Sequence, residues 1–414
     1  MWELIESNKR KSIIVFIGMG ILLILIGYVF GNYFVQRYSG SDNGGLFGIL
    51  AALVLWAILS LVGYFAGSKI LLSVSGAQEV SQDMHPQLFN VVEEMRIAAS
   101  LPAMPKVYII PETAPNAFAT GIKPENSAIA VTAGLLGKLN RDELQGVVAH
   151  EMSHILNRDI LLMTFAGTML GAISLMSEVF TRSLWFGGGS RYKSKSSDKD
   201  GQAQIIFMIL SIILAIIGPI MAQLLYFAIS RKREYLADAT AVRLSRYPEG
   251  LASALEKISN TNQDFKAANK VTAPMYIVNP LKHNGMKLSD ITSTHPPISE
   301  RIRILRSIQN GANLLNYQQA FDKVKNKKSN LIPNSGLKDS LVIPFRQALT
   351  NIQTDEKSIQ TKAESKREVG DLIMNLNDYK IIDCSCGIRI KLSPNYKKDS
   401  VICPRCKRNH KLKS

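Results

Sequence analysis

The chain has 414 residues, which at ~150 residues per domain leaves room for roughly three structural units. Apolar residues make up 46% and charged residues 20%, which excludes a disordered chain, and four cysteines exclude a disulfide-dense secreted scaffold. The formal charge is +16, from 49 Lys and Arg against 33 Asp and Glu, yet mean hydropathy is +0.06, so very apolar stretches must alternate with very polar ones.

Four runs carry no charge: Ile13–Gly31, Leu46–Ser68, Ile160–Ser177 and Gly201–Ser230. A helix crossing the hydrocarbon core needs about 20 such residues, because lipid offers no water to open backbone groups. Four transmembrane helices are therefore expected. The competing reading of the third and fourth runs is a pair of buried core helices. Two details favour lipid: Gly167 and Gly171 make a GxxxG step, and Pro219 inside the fourth run is better tolerated in a spanning helix. The first run is too long for the apolar core of a signal peptide and no A-x-A-like site follows it, so a retained anchor is expected. Lys9, Arg10 and Lys11 precede the first run, and Arg231, Lys232 and Arg233 follow the fourth. Four crossings put both clusters on one side, expected to be the cytoplasm. The basic loop Thr181–Gln204 runs against that orientation.

Between the second and third runs, Lys106–Ile110, Asn116–Gly121 and Ala128–Thr132 read as strands separated by turn residues. Asn140 and Glu143 stand at capping-box spacing, so a helix starts there. Its Leu144, Val147, Val148, Glu151 and Ile155 do not form a purely apolar stripe, so a polar group is buried or used on it. Beyond the fourth run, Arg231–Arg246 reads as a helix rich in small residues, and 247–318 as helices with long loops. From about 319 to 380 the composition shifts to Lys, Ser, Asn and Gln, as in a linker, although Val369, Leu372, Ile373 and Leu376 recur on one helix face.

His150-Glu151-Met152-Ser153-His154 is an HExxH pattern on the helix begun at Asn140. Residues at i and i+4 share a helix face, so both imidazoles can reach one tetrahedral zinc ion, and Glu151 projects where a general base is needed. The plain alternative is two histidines satisfied in a core. A catalytic zinc also needs a third protein ligand. Glu234 is the candidate: His154 lies just before the third run and Glu234 just after the fourth, so a membrane hairpin returns the carboxylate to the face the imidazoles left. Asp238, at i+4 from Glu234, is placed to accept from a zinc-bound histidine, or else to pair with Arg231 or Arg233 at the surface.

Other segments recur with this pattern in order: Asn157-Arg158-Asp159, the stretch 116–121, Ser230 to Asp238, and Thr294-His295-Pro296-Pro297 with Glu300-Arg301. Together they resemble the HtpX-type integral-membrane zinc peptidases, relatives of the CAAX prenyl endopeptidases, over roughly residues 10–310. The resemblance implies a gluzincin-type endopeptidase with His150, His154 and Glu234 as zinc ligands and Glu151 as catalytic base. It puts His295 near the site as an oxyanion donor, ahead of Arg231, Arg233 and Arg301. The other reading of that segment is that it merely starts the next helix. The resemblance also makes Asn116, Ala117, Phe118, Ala119, Thr120 and Gly121 an edge strand on which an extended substrate lies, where main-chain hydrogen bonds demand little of its sequence. The competing reading is an ordinary sheet strand.

All four cysteines fall in the tail, as Cys384-Ser-Cys386 and Cys403-Pro-Arg-Cys406, the spacing of a four-thiolate structural zinc site. About 35 residues cannot build a sufficient core, so the metal is expected to supply the folding energy. Residues 381–414 carry nine Lys or Arg against two Asp. Anionic lipid headgroups are the expected partner of that charge, with nucleic acid ranked below and a plain solvated surface as the bland reading. His85 and His283 have no companions at ligand spacing, and His410 is superfluous beside four thiolates.

The expected fold is a mainly α membrane protein: four transmembrane helices, a cytosolic α+β zincin-like (gluzincin) catalytic domain, and a small C-terminal zinc ribbon. The division is a transmembrane hairpin at 1–75, catalytic halves at 76–159 and 231–318 around a second hairpin at 160–230, a linker at 319–380 and the ribbon at 381–414. The expected function is a multi-pass zinc endopeptidase of the cell (plasma or inner) membrane, its catalytic side facing the cytoplasm, acting on membrane or misfolded proteins with one catalytic and one structural Zn2+. Two rival readings are a non-catalytic zinc-stabilised membrane scaffold and an endopeptidase confined to prenylated peptides. Glu151 speaks against the scaffold, which has no need of a base.

Overall fold

A computed structural model of the chain describes residues 2–39, 43–186, 208–210, 212–222, 230–261, 273–278, 296–337, 343–348, 362–396 and 398–412. Its first two helices, α1 (Trp2–Ser39) and α2 (Gly44–Phe65), pack against each other as a hairpin. Ile13–Tyr33 and Gly44–Phe65 are long and apolar enough to cross a membrane. Only 11% of the apolar window in α2 is buried, and Phe65 is 75% exposed, with Leu46, Phe47, Val54 and Leu61 also outward. A soluble core helix would hide that face, whereas lipid solvates it. Small residues let the two backbones meet: a Cβ on Gly48 would stand 2.0 Å from the Gly27 carbonyl oxygen. Gly27 and Gly31 thus form a working GxxxG step in the first hairpin. The third apolar run lies in a 28-residue helix, whose Leu170 and Ile173 join one buried cluster with Leu23, Ile26 and Phe30 of α1. The fourth run is helical at Met208–Ala222, and the remainder of it lies outside the described residues, as does most of the basic loop at 181–204. Among the described residues, two helices rather than four meet the length and apolarity needed to span.

The polar body starts after α3 (Gly67–Val74). It contains β1 (Gln78–Glu79), α4 (Pro86–Ala98), β2 (Lys106–Ile110), β3 (Ala117–Gly121) and β4 (Ser127–Thr132). The sheet order is β1-β2-β4-β3, with β2 and β4 parallel and β3 antiparallel to β4 at the edge. Alternate residues serve two cores. Val107, Ile109, Ala119, Ile129 and Val131 face the main core, whereas Ile110, Phe118 and Ala130 pack with Leu71, Leu72 and Tyr276. Burial on both faces is why these strands read as almost continuously apolar.

Next come α5 (Ala133–Lys138), α6 (Arg141–Leu156) and α7 (Asp159–Phe186), the helix holding the third run. Then follow α8 (Ser230–Ser245), α9 (Pro248–Ser259), α10 (Ile298–Arg306), α11 (Leu314–Lys325) and α12 (Asn334–Leu337). Every residue of α6 from Asp142 to Ile155 is buried, so it has no solvent face and no simple stripe. At Gly146 a Cβ would lie 2.6 Å from the Leu251 backbone nitrogen, which lets α9 press directly on α6.

The linker expected from 319 is corrected in its first part. Phe321, Leu331 and Ile332 are buried in the main core, and Arg346 pairs with Asp142 of α6. These few apolar anchors are diluted among Lys, Asn and Ser, so composition hid them. The face expected at Val369, Leu372, Ile373 and Leu376 lies on α13 (Lys362–Leu376) and packs against the main core at α5. The tail consists of two antiparallel hairpins, β5 (Lys380–Asp383) with β6 (Arg389–Leu392) and β7 (Ser400–Ile402) with β8 (Asn409–Lys411). Asp371 of α13 holds the first hairpin through Arg389 at 2.6 Å and Lys391 at 2.9 Å.

Candidate active site and metal centres

Helix α6 begins with a complete capping box. Asn140 Oδ1 accepts from the Glu143 N–H at 2.9 Å, and Glu143 Oε2 accepts from the Asn140 N–H at 2.9 Å. Lys257 and Ser253 of α9 also bond to Glu143, at 2.8 and 2.6 Å, so the start of the helix is fixed from two sides. The helix then presents His150 and His154 on one face, ring centroids 4.9 Å apart. Glu234, near the start of α8, meets them. Its Oε2 is 3.6 Å from His150 Nε2 and its Oε1 is 3.5 Å from His154 Nε2. All three side chains are buried, and one ligand atom from each lies within 4.8 Å of the others. These separations are too long for hydrogen bonds. They are close to the ~3.3 Å edge of a tetrahedron whose centre is ~2.05 Å from nitrogen and oxygen donors, so the donor set fits zinc. Glu151, buried, sits on the same helix between the two imidazoles.

Each imidazole is backed by a carboxylate on its far nitrogen. His150 Nδ1 is 3.0 Å from Asp238 Oδ1, and His154 Nδ1 is 3.2 Å from Asp159 Oδ2. Such bonds fix the tautomer and aim Nε2 at the metal position. Asp238 is held in turn by Arg301 of α10, which donates from Nε at 2.9 Å and from Nη2 at 2.7 Å. Arg301 is fully buried, bonds the Ile277 carbonyl at 3.3 Å and stands 3.5 Å from Glu234. Asp238 therefore does not pair at the surface with Arg231 or Arg233. Burial works against charge on His150, but the bond to Asp238 and the Glu234 carboxylate close by outweigh it and raise its pKa to about 9. Burial also opposes charge on Asp238, but Arg301 beside it and the bond to His150 hold that carboxyl below its ordinary range.

Sequence reasoning reached Asp238 and missed the roles of Asp159 and Arg301. Asp159 follows His154 by five residues, and Arg158, in the left-handed region at φ 61°, turns the chain back so that the carboxylate reaches the ring. The triplet Asn157-Arg158-Asp159 was the available signal. Arg233 Nε lies 3.6 Å from the same carboxylate. Of the arginines weighed as oxyanion donors, Arg301 is thus committed to Asp238, Arg233 lies by Asp159, and Arg231 is exposed. His295 and His283 lie outside the described residues; Pro297 is the N-cap of α10. His85 has a structural place, its Nδ1 accepting from the Leu88 N–H at the start of α4.

The stretch 116–121 is at the sheet edge, but that edge is partly occupied. Asn116 Nδ2 donates to the Val278 carbonyl at 2.7 Å, and Ile277 N–H donates to the Ala117 carbonyl at 2.9 Å. At the other end, Thr164 Oγ1 bonds the Gly121 carbonyl at 3.1 Å and contacts Thr120 Oγ1 at 3.0 Å. With Thr132 N–H bonded to the Asn116 carbonyl, ladder alternation turns the N–H and C=O of Ala119 away from β4 between these two clamps, although every residue of the strand is buried.

In the tail, Cys384 Sγ is 3.4 Å from Cys406 Sγ and Cys386 Sγ is 3.5 Å from Cys403 Sγ. No disulfide joins them, and all four sulfurs lie within 4.8 Å of one another. A tetrahedron with ~2.3 Å zinc–sulfur bonds has edges of ~3.75 Å, so this set also fits zinc. Each knuckle is a tight turn. Gly387 (φ 83°) returns its N–H to the Cys384 carbonyl at 2.8 Å, and Lys407 (φ 60°) to that of Cys403 at 3.0 Å. The Cys386 backbone N–H, with help from His410 and neighbouring thiols, outweighs desolvation and brings Cys384 down to about 5, toward the thiolate a metal requires.

The profile of peptidase family M48 matches residues 81–309, a span that contains all of α6, α8 and α10. The chain belongs to peptidase family M48. Among its relatives, a protease HtpX homolog of Dictyoglomus turgidum is 46% identical over 305 residues, 74% of this chain and 94% of that protein. The homolog of Dictyoglomus thermophilum is 47% identical over the same shares. That of Streptococcus uberis is 40% identical, over 74% of this chain and 99% of that protein. The crystal structure of Ste24p from S. mikatae overlaps at 19% identity with a TM-score of 0.38, covering 74% of this chain and 67% of that one, too loosely to carry an argument. This M48 peptidase is a membrane-bound zinc metalloprotease of the HtpX type, and the scaffold and prenyl-restricted readings are not favoured.

Proposed function

We propose that His150, His154 and Glu234 hold the catalytic zinc and that Glu151 is the general base of peptide-bond hydrolysis. The observation that carries this is the triangle of donor atoms 3.5–3.6 Å apart at Glu234, with each imidazole braced by its own carboxylate. Bound zinc supplies a Lewis acid and brings the pKa of water from 15.7 toward ~7. The protein's own contributions are separate from that. Asp238 and Asp159 hold the two Nδ1 protons, so the lone pair each imidazole would offer the metal is on Nε2. Arg301 keeps Asp238 ionised and oriented. Glu151 takes a proton from the attacking water and hands it to the departing amine. The outward N–H and C=O of Ala119 bind the main chain of an extended substrate, which makes specificity broad. His295 remains the assigned oxyanion donor on the strength of its motif alone.

The substrates are membrane proteins or misfolded chains at the bilayer surface. Support comes from the polar body's direct attachment to α2 through α3, and from the two residues between α6 and α7. In this reading α7 and the helical stretch Met208–Ala222 form a second spanning pair, and both zinc-ligating helices lie on the cytoplasmic side. The ribbon binds a second, structural zinc through Cys384, Cys386, Cys403 and Cys406, and its basic surface rests on anionic headgroups.

The test is Glu151→Gln in the detergent-purified chain. Zinc content should stay at the wild-type level, while cleavage of an unfolded protein drops ~10²–10⁴-fold, the usual worth of a general base. Equal cleavage by variant and wild type rules Glu151 out.

A further inference from the structure

The family match ends at residue 309, yet the chain returns to the active-site helices at 343–348. The Ile343 carbonyl accepts from the Ala312 N–H at 2.7 Å, and the Arg346 N–H donates to the Arg246 carbonyl at 3.0 Å. The Arg346 guanidinium then bridges two helices. On α6, Nη1 lies 2.8 Å from Asp142 Oδ1 and Nη2 donates to Gln145 Oε1. At the end of α8, Nε donates to the Ser245 carbonyl at 3.0 Å, and the guanidinium lies over the Tyr247 ring at 4.9 Å. Asp142 and Gln145 are only 3% and 5% exposed, so this is no solvated surface pair. The two helices run antiparallel. The start of α6 meets the end of α8 at Arg346, whereas His154 near the end of α6 meets Glu234 near the start of α8.

We propose that Arg346 is a positioning residue of the peptidase, a clamp on the far ends of the two zinc-ligating helices that sets the spacing between the imidazoles and the Glu234 carboxylate. The inference rests on the reading of those three residues as the zinc ligands. His150 is five positions beyond Gln145 and Ser245 eleven beyond Glu234, about 7.5 and 16.5 Å along the helix axes. Over such lengths a slight change in crossing angle moves donor atoms by several tenths of an ångström, more than the ~0.2 Å a zinc site tolerates. Five N–H donors in a rigid plane suit a guanidinium to fixing that angle, which a lysine cannot do.

The test uses the full chain in detergent with unfolded casein as substrate and a competing chelator. Glu234→Ala identifies which bound zinc belongs to the active site. Arg346→Ala should lower kcat ~10-fold, leave KM within about twofold, and speed loss of the active-site zinc ~10–100-fold, the usual range for groups that orient ligands. Because that variant removes the guanidinium from the buried Asp142 carboxylate, the double variant Asp142→Asn/Arg346→Ala separates stability from positioning. A recovered Tm with zinc still lost quickly and kcat still low supports the clamp. Recovery of kcat and zinc retention along with Tm overturns it. Should neither of these variants fold, Arg346→Lys gives the same readouts: reduced kcat and faster zinc loss support the clamp, and wild-type values overturn it. A wild-type chain with no Glu234-dependent zinc overturns the ligand assignment instead.

Discussion

The two candidate metal sites of this chain are built in opposite ways. The peptidase site draws His150 and His154 from α6, Glu234 and Asp238 from α8, Asp159 from the start of α7 and Arg301 from α10, all buried in the main body. The tail site brings together four thiols within 23 residues of sequence, on knuckles backed by two short hairpins, with Cys406 exposed. In the first, a large core assembles the candidate ligands. In the second, little apolar area is available, and under the proposed reading a structural zinc takes the place of a core.

Metal removal should break the pair apart most visibly. Structural zinc in small domains is worth ~10–16 kcal/mol of apparent binding free energy, so a chelator should erase hydrogen-exchange protection over residues 380–412. The main body should keep its protection and its unfolding transition. Cys403→Ser should reproduce the local loss and reduce bound zinc from two ions to one. Simultaneous collapse of both regions would mean that the contrast is wrong.

Arg301→Ala probes the opposite design. It takes the guanidinium from Asp238 in a fully buried setting and leaves it the bond to His150 Nδ1, and removing one partner of a buried pair typically costs ~3–5 kcal/mol. The global unfolding midpoint should fall accordingly while the ribbon's exchange protection is untouched. A stable variant would show that the bond to His150 is support enough.

Asp159→Asn makes the smallest of the three changes: shape is kept, the acceptor of His154 Nδ1 is weakened and the charge beside Arg233 Nε is removed. Zinc affinity at the peptidase site should drop ~10–100-fold, measured by competition with a chelator, with a smaller loss of stability than in Arg301→Ala. A ribbon titrated in the same sample should show no change and serves as internal control.

Much of this was legible before any coordinates. The three longer strands announced themselves through β-branched and small apolar residues between turn signals, and Asn140 with Glu143 marked the start of α6 to the residue. The HExxH spacing is local, so it needs only a helix. Glu234 was reachable from the expectation that the third and fourth apolar runs form a hairpin that returns the chain to its starting face. What stayed hidden depends on contacts between distant segments. Arg301 meets Asp238 across 63 positions, and Arg346 meets Gln145 across 201, and no periodicity encodes either. Phe321, Leu331 and Ile332 were masked by their polar neighbours, which have nothing to do with what those three side chains bury. The expected GxxxG step at Gly167 and Gly171 had an equal at Gly27 and Gly31, visible in the same sequence, and only packing against Gly48 singles it out.

Asp159 is at once the acceptor for His154 and the first residue of α7. Only Asn157 and Arg158 lie between the helix that carries the imidazoles and the one that leads into the apolar run. Under the proposed reading, with α7 in lipid, the imidazoles would stand at the polar edge of the bilayer. The enzyme would then search by lateral diffusion in that plane, and a polypeptide would become vulnerable by bringing an unfolded stretch to the membrane surface.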